Sequence, residues 1–279
     1  MKHRQILRRL KEKYSYLIAQ YAGETSTSSS YTDTPAIWTM WWQGTDNLPD
    51  VAELCLSSVR KYCGTHPVKV LTRENFGRYV SLPEHVMERF DAGKITVTHL
   101  SDIARFYLLS RYGGLWLDAT VFITGGIPDS VFGADYYTVK RPLTPRNRNV
   151  AQDRWTNFLH AARPGNVLCR FVLDFFTEYW RTQNTLIDYF LIDYAIQIAY
   201  DELPQCRKLL DDVPLVNYDL YRLERLMNRE WSPEIWDSIV SSTNFSKLAW
   251  RKGGRLKTLS GRETIYAHIL AEAGGGRTQ

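Results

Sequence analysis

Thr98 to Ile123 reads THLSDIARFYLLSRYGGLWLDATVFI, and this block limits the chain's possible folds more tightly than any other stretch. Ile103, Phe106, Tyr107, Leu109 and Tyr112 recur at helical spacing and give an apolar side. Ser101 can cap the helix start, because its hydroxyl satisfies an orphan backbone N–H. Asp102 and Arg105 stand three apart, so they share a face and can pair. Gly113 and Gly114 stop the helix, since glycine tolerates the left-handed cap. The apolar run Leu115-Trp116-Leu117 then reads as a strand, and Asp118 ends it. In α/β sheets ligands collect outside the carboxyl ends of strands. Two carboxylates and a guanidinium there suit a polyol carrying a diphosphate.

The rest of the chain alternates in the same manner. Ala36–Trp42 is a buried-strand pattern closed by Gln43-Gly44. Pro49–Cys63 is helical, Val68–Leu71 a strand, and Asn75–Val80 and Pro83–Phe90 short helices. After Asp118, strands are expected at Val121–Ile123 and Tyr136–Lys140. Helices are expected at Asn166–Gln183, Leu186–Leu203, Tyr218–Asn228, Pro233–Ser241 and Gly261–Ala273. Strand–helix alternation of this kind marks an α/β nucleotide fold. His99, alone before the site helix, reads as a structural residue. Pro142–Val150, with Arg141, Arg146 and Arg148, reads as a basic loop, either solvated or lying over an anionic substrate.

The first 35 residues read as a separate piece, leaving 36–279 as the main domain. Ile6, Leu7, Leu10, Tyr14, Leu17, Ile18 and Tyr21 form a helical stripe over Lys2–Tyr21, and six Lys and Arg residues crowd its first half. Such a helix can lie on an anionic membrane surface, or pack on its own domain or on a second subunit. Gly23–Pro35, rich in Ser and Thr, reads as a linker. The net charge of +5 suits anionic small ligands or surfaces and is too weak to argue for nucleic acid. Cys55, Cys63, Cys169 and Cys206 make no C-x-x-C pair, so zinc and redox readings lack support. No segment approaches the roughly 18 apolar residues of a membrane span, and the expected location is cytoplasmic, at most peripheral to the inner face of the membrane.

Ser101-Asp102-x-x-Arg105, Tyr112-Gly113-Gly114 and Asp118-Ala119-Thr120, in that order, resemble the sugar-nucleotide site of GT-A glycosyltransferases. The nearest pattern is the capsular polysaccharide synthesis group, related to family 32 glycosyltransferases and the glycosylating clostridial toxins. The resemblance implies a GT-A-like α/β fold with a Rossmann-type sheet and a helix-rich acceptor half, with Trp155–Ala162 as the strand that floors the acceptor cleft. It implies transfer of a sugar from a nucleotide donor, UDP-linked and with retention, to a saccharide or lipid-linked acceptor. Asp102, Arg105 and Asp118 then carry the chemistry. Trp38, Trp41 and Gln43 are assigned to the base, unless a tryptophan is core; Ser101 belongs to the donor site. Asp193 is placed near the acceptor side, with a solvated or capping role as the alternative, and Asn244 lies in a late loop that contacts the donor. Asp118, Thr120 and Ser246 stand where relatives hold Mn²⁺ or Mg²⁺. Thr120 replaces a second carboxylate and Ser246 a histidine, both poorer ligands. A non-catalytic sugar-nucleotide-binding relative and a membrane-surface scaffold are the alternative readings.

Overall fold

Short runs set the strands, and those covered on both faces, such as Ile37–Met40 and Gly114–Leu117, are buried throughout and almost wholly apolar. They are β1 (Ile37–Met40), β2 (Val68–Leu71), β3 (Gly114–Leu117), β4 (Val121–Ile123), β5 (Tyr136–Thr138), β6 (Leu159–Ala162) and β7 (Phe245–Lys247). The computed structural model describes residues 2–27, 30–143, 149–215 and 219–273. The main sheet has the order β2-β1-β3-β6-β5. β1 runs parallel to β2 and β3, and β6 antiparallel to β3 and β5, so four of the five strands point one way. β4 and β7 form a separate antiparallel ribbon, with Val121 opposite Lys247 and Phe122 opposite Ser246. The fold is thus mixed α/β with a mostly parallel central sheet.

Gly113 and Gly114 are required here for two reasons. Both have positive φ, +66° and +99°. A Cβ on Gly114 would lie 2.2 Å from the Ala36 carbonyl oxygen, which a side chain cannot share. The pair therefore turns the Val97–Arg111 helix directly into β3 and brings β3 against β1.

Several boundaries differ from the sequence expectation. The site helix starts at Val97, capped by the Thr96 hydroxyl, which accepts from the His99 amide. Ser101 therefore lies inside it, with Oγ donating to the Thr98 carbonyl at 2.7 Å. The helix expected from Leu186 begins at Leu191. Asp188 precedes it, accepting from the Phe190 amide and pairing with Lys2 at 2.6 Å. The strand expected from Trp155 is shorter, starting at Leu159. Short helices at Asp129–Gly133 and Pro204–Asp211 were not anticipated; the second has proline at its first position, where the missing N–H costs nothing.

The N-terminal stripe folds as two helices, Lys2–Lys13 and Ser15–Tyr21. Ile6, Leu10, Tyr14, Leu17 and Tyr21 join the main core, so this region is not an appended arm. Polar contacts tie it to the Val167–Thr182 and Leu191–Glu202 helices: Lys11 to Asp201 at 2.8 Å, Tyr14 to Thr182 at 2.9 Å and Tyr16 to Glu178 at 2.7 Å. The segment after it is held too, as the Tyr31 hydroxyl donates to the Ala162 carbonyl and accepts from the Gly114 amide. A second apolar cluster gathers Val51, Leu54, Phe122, Leu223, Met227, Leu248 and Ile265 beside the ribbon. Among the described residues no helix is long and apolar enough to cross a membrane. Arg146 and Arg148, expected on a basic loop, lie outside the described residues; Arg141 lies within them and pairs with Asp153.

Candidate active site

A cleft of about 730 Å³ opens at the carboxyl ends of β1 and β3. The site helix brings Asp102 and Arg105 to it on one face, as their three-residue spacing requires. β3 brings Trp116 and Asp118, two apart and therefore on the same side of the strand. These groups meet. Arg105 Nη2 lies 3.0 Å from Asp118 Oδ1 and 3.3 Å from Asp102 Oδ1, and Nη1 donates to the Asn157 carbonyl. The guanidinium carbon stands 5.1 Å from the Trp116 ring centroid.

A buried relay sits behind Asp102. Trp180 Nε1 donates to His99 Nε2 at 2.9 Å, so that nitrogen is the bare one and Nδ1 carries the proton toward Asp102 Oδ2, 3.5 Å away. His99 thereby orients a carboxylate of the site from within the core, where it is 3% exposed.

Asp118 is the most heavily contacted carboxylate. Oδ1 accepts from Arg105 and from Trp116 Nε1, both at 3.0 Å. Oδ2 accepts from Lys247 Nζ at 3.1 Å. Burial pushes its pKa up, but the nearby Lys247 and Arg105 charges and these hydrogen bonds win, holding it at about 2. Lys247 Nζ also donates to Thr120 Oγ1 at 2.6 Å and lies 5.1 Å from the Phe158 ring centroid.

Asp193 lies across the cleft on the Leu191–Glu202 helix, accepting from Trp155 Nε1 at 2.9 Å and Asn157 Nδ2 at 2.8 Å. Here burial outweighs both hydrogen bonds, and the carboxyl is pushed up to about 6. It lines the cleft, and no side-chain cap bond is made at the start of its helix.

The structure thus brings together Ser101, Asp102, Arg105, Asp118, Thr120 and Asp193, with Trp41 and Gln43 on the wall. It separates three other expected residues from them. Trp38 is buried in β1, its indole donating to the Gly113 carbonyl at 2.9 Å; it fastens the double-glycine turn and touches no cleft. Asn244 braces the β4 turn, donating to the Gly126 carbonyl and accepting at its own carbonyl from the Thr124 amide. Ser246 is fully buried, and strand alternation turns it away from the cleft while Lys247 beside it points in. Among the described residues, no group of three or more His, Cys, Asp and Glu side chains comes together to hold a metal ion. Trp116, Asn157 and Lys247 were missed by residue-type reasoning. Period-two spacing from Asp118 would have found Trp116.

Fold and site together define an α/β protein with a charged, aromatic-walled cleft at its strand ends, of a size for a small polar ligand. The chain belongs to the capsular polysaccharide synthesis protein family, whose profile matches residues 1–269. It is 30% identical over 102 residues to the O-glycosyltransferase PaGT of Phomopsis amygdali, covering 33% of this chain and 25% of that protein. The chain therefore matches about a quarter of that relative's length. Among solved structures it overlaps the PaToxG glycosyltransferase, with TM-score 0.44 and 13% identity over 86% of this chain and 96% of that one. For the galactosyltransferase LgtC, in complex with donor and acceptor sugar analogs, the values are 0.39 and 11% over 88% and 97%. For the bifunctional glycosyltransferase WbbM they are 0.46 and 11% over 89% and 51%.

Proposed function

We propose that the protein is a glycosyltransferase that moves a sugar from a nucleotide diphosphate donor, UDP-linked, to a saccharide or glycolipid acceptor with retention of configuration. The observation that carries this reading is the joining of Asp102, Arg105 and Asp118 across helix and strand on the floor of the cleft. Asp102 and the Arg105 guanidinium, fixed by His99 and Asn157, offer an acceptor and a fork of donors to sugar hydroxyls. Trp41, packed edge-on against Trp250 at 5.8 Å, and Gln43 form the wall for the base. Asp193 and the exposed Tyr189 and Phe190 face the acceptor side.

In the reaction the bond from the anomeric carbon to the diphosphate oxygen breaks, and its electron pair leaves on that oxygen. The acceptor hydroxyl oxygen bonds to the same face of the carbon, and its proton passes to the departing phosphate oxygen. No strong protein nucleophile is needed. The demand is for positioning and for fixed charge near the leaving group.

The residues expected to hold Mn²⁺ or Mg²⁺ do not fit such an ion as they stand. A hard dication takes several oxygen ligands. Asp118 is the one carboxylate of that set, both its oxygens already face cations, Thr120 faces the same lysine, and Ser246 points elsewhere.

The test is a melting series with UDP-, GDP- and dTDP-sugars, followed by donor hydrolysis measured by chromatography. A ligand that binds only the native state raises the midpoint. One donor class should raise it and be slowly hydrolysed without acceptor. No shift with any nucleotide sugar would end the reading.

A further inference from the structure

We infer that Lys247 takes the place and the work of a divalent cation at the donor diphosphate, so that the donor binds without metal. The inference rests on the glycosyltransferase reading and goes beyond it by naming the group that receives the phosphates.

Lys247 Nζ stands between Asp118 Oδ2 at 3.1 Å and Thr120 Oγ1 at 2.6 Å. These are the two side chains that the Asp118-Ala119-Thr120 strand end offers to whatever cation sits there. The ammonium is brought by the ribbon: Lys247 pairs with Val121, and the adjacent Leu248 amide donates to the Thr120 carbonyl, so lysine and strand end share one rigid unit. Its side chain is 21% exposed, enough for the head to meet a ligand in the cleft while the stem stays packed.

Charge favours the same conclusion. Arg105 already contacts Asp118 Oδ1, so the carboxylate faces a cation on each side. A dication placed beside it would meet two fixed positive charges and gain one shared carboxylate. Thr120 in place of an acid removes the second negative charge a metal would use, and it suits an ammonium, which needs only an acceptor lone pair. Asp118 then anchors the lysine, and the ammonium's remaining proton and full charge are available to a phosphate oxygen. A preset ammonium can stabilise charge on the leaving diphosphate as it develops.

The experiment measures UDP, GDP, dTDP and uridine affinity by calorimetry for wild type, Lys247→Met and Lys247→Arg. Each is measured in excess EDTA and in Mn²⁺. Wild type should bind its nucleoside diphosphate equally well in both conditions. Lys247→Met should lose about tenfold or more, the weight of one charge-assisted contact, while uridine affinity stays put if UDP is the ligand; its melting midpoint falls because Asp118 loses a cation, so affinities are compared well below that midpoint. Lys247→Arg should recover part of the loss. Diphosphate binding that requires Mn²⁺ in the wild type would overturn the inference and leave the transferase reading intact. So would undiminished affinity in Lys247→Met. Failure of every nucleoside diphosphate to bind overturns both.

Discussion

Two carboxyls of the cleft are driven in opposite directions, and the difference lies in their partners. Asp118 faces two cations and is held at about 2, whereas Asp193 has only neutral N–H donors and rises to about 6. For Asp193 the sign is clear. Between pH ~4 and ~6 the native state keeps a proton that the unfolded chain has released, so wild-type stability falls as pH rises through that window. Asp193→Asn removes the cost, worth about 2–3 kcal/mol. Its new amide hydrogens can meet Asn157 Oδ1, now buried without a partner, once that amide turns over. The variant should melt higher than wild type at pH 8, the gap should close toward pH 4, and transfer to acceptor should fall. A gap independent of pH would contradict the assignment. Arg105 obeys another constraint. Its planar fork spans Asp102, Asp118 and the Asn157 carbonyl at once from two nitrogens in a fixed geometry that a lysine's point charge does not reproduce. Arg105→Lys should therefore cut donor turnover by about tenfold or more, roughly 1.4 kcal/mol. Unchanged kinetics would reduce Arg105 to a scaffold residue.

At the scale of elements, the N-terminal helix shows how one amphipathic pattern can serve two surfaces. Its inner stripe is core, and Lys2 and Lys11 are occupied by Asp188, Asp201 and Glu202. Arg4, Arg8, Arg9 and Lys13 stay exposed on the Lys2–Lys13 helix. We propose that this outer face meets an anionic membrane surface, where each basic residue contributes about 1 kcal/mol. Deleting the helix is a poor test, because the core side chains Ile6 and Leu10 would go with it. Changing the four exposed residues to glutamine should leave the melting midpoint nearly unchanged and weaken sedimentation with phosphatidylglycerol vesicles by at least about tenfold, with the difference fading in high salt. Equal sedimentation at low salt would confine the helix to intramolecular packing.

For the whole molecule, legibility followed the range of the interactions. The Asp102–Arg105 pair, the double-glycine stop and Asp118 at a strand end are local consequences of spacing, and they could be read directly. The Lys247–Asp118 contact spans 129 residues and depends on ribbon register, which shifts faces with every residue. Reading by residue type therefore settled on Ser246, one position away. Trp38 misled for a related reason: an aromatic after an apolar run fits core and ligand wall alike, and only the partner of its indole decides. The same long-range closure leads to a final prediction. The cleft takes its floor from β3 and the site helix, in the main core, and one wall from Lys247, Leu248 and Trp250, beside the second cluster. Trp41 reaches Trp250 across the opening. A nucleoside diphosphate bound there touches both units and should resist their separation. Hydrogen exchange with and without UDP should then show slowed exchange in peptides from 97–118 and also from 245–252, because opening either unit must first release the ligand. Protection confined to residues before 118 would mean that the late ribbon takes no part in binding, and Lys247 would be only a structural partner of Asp118.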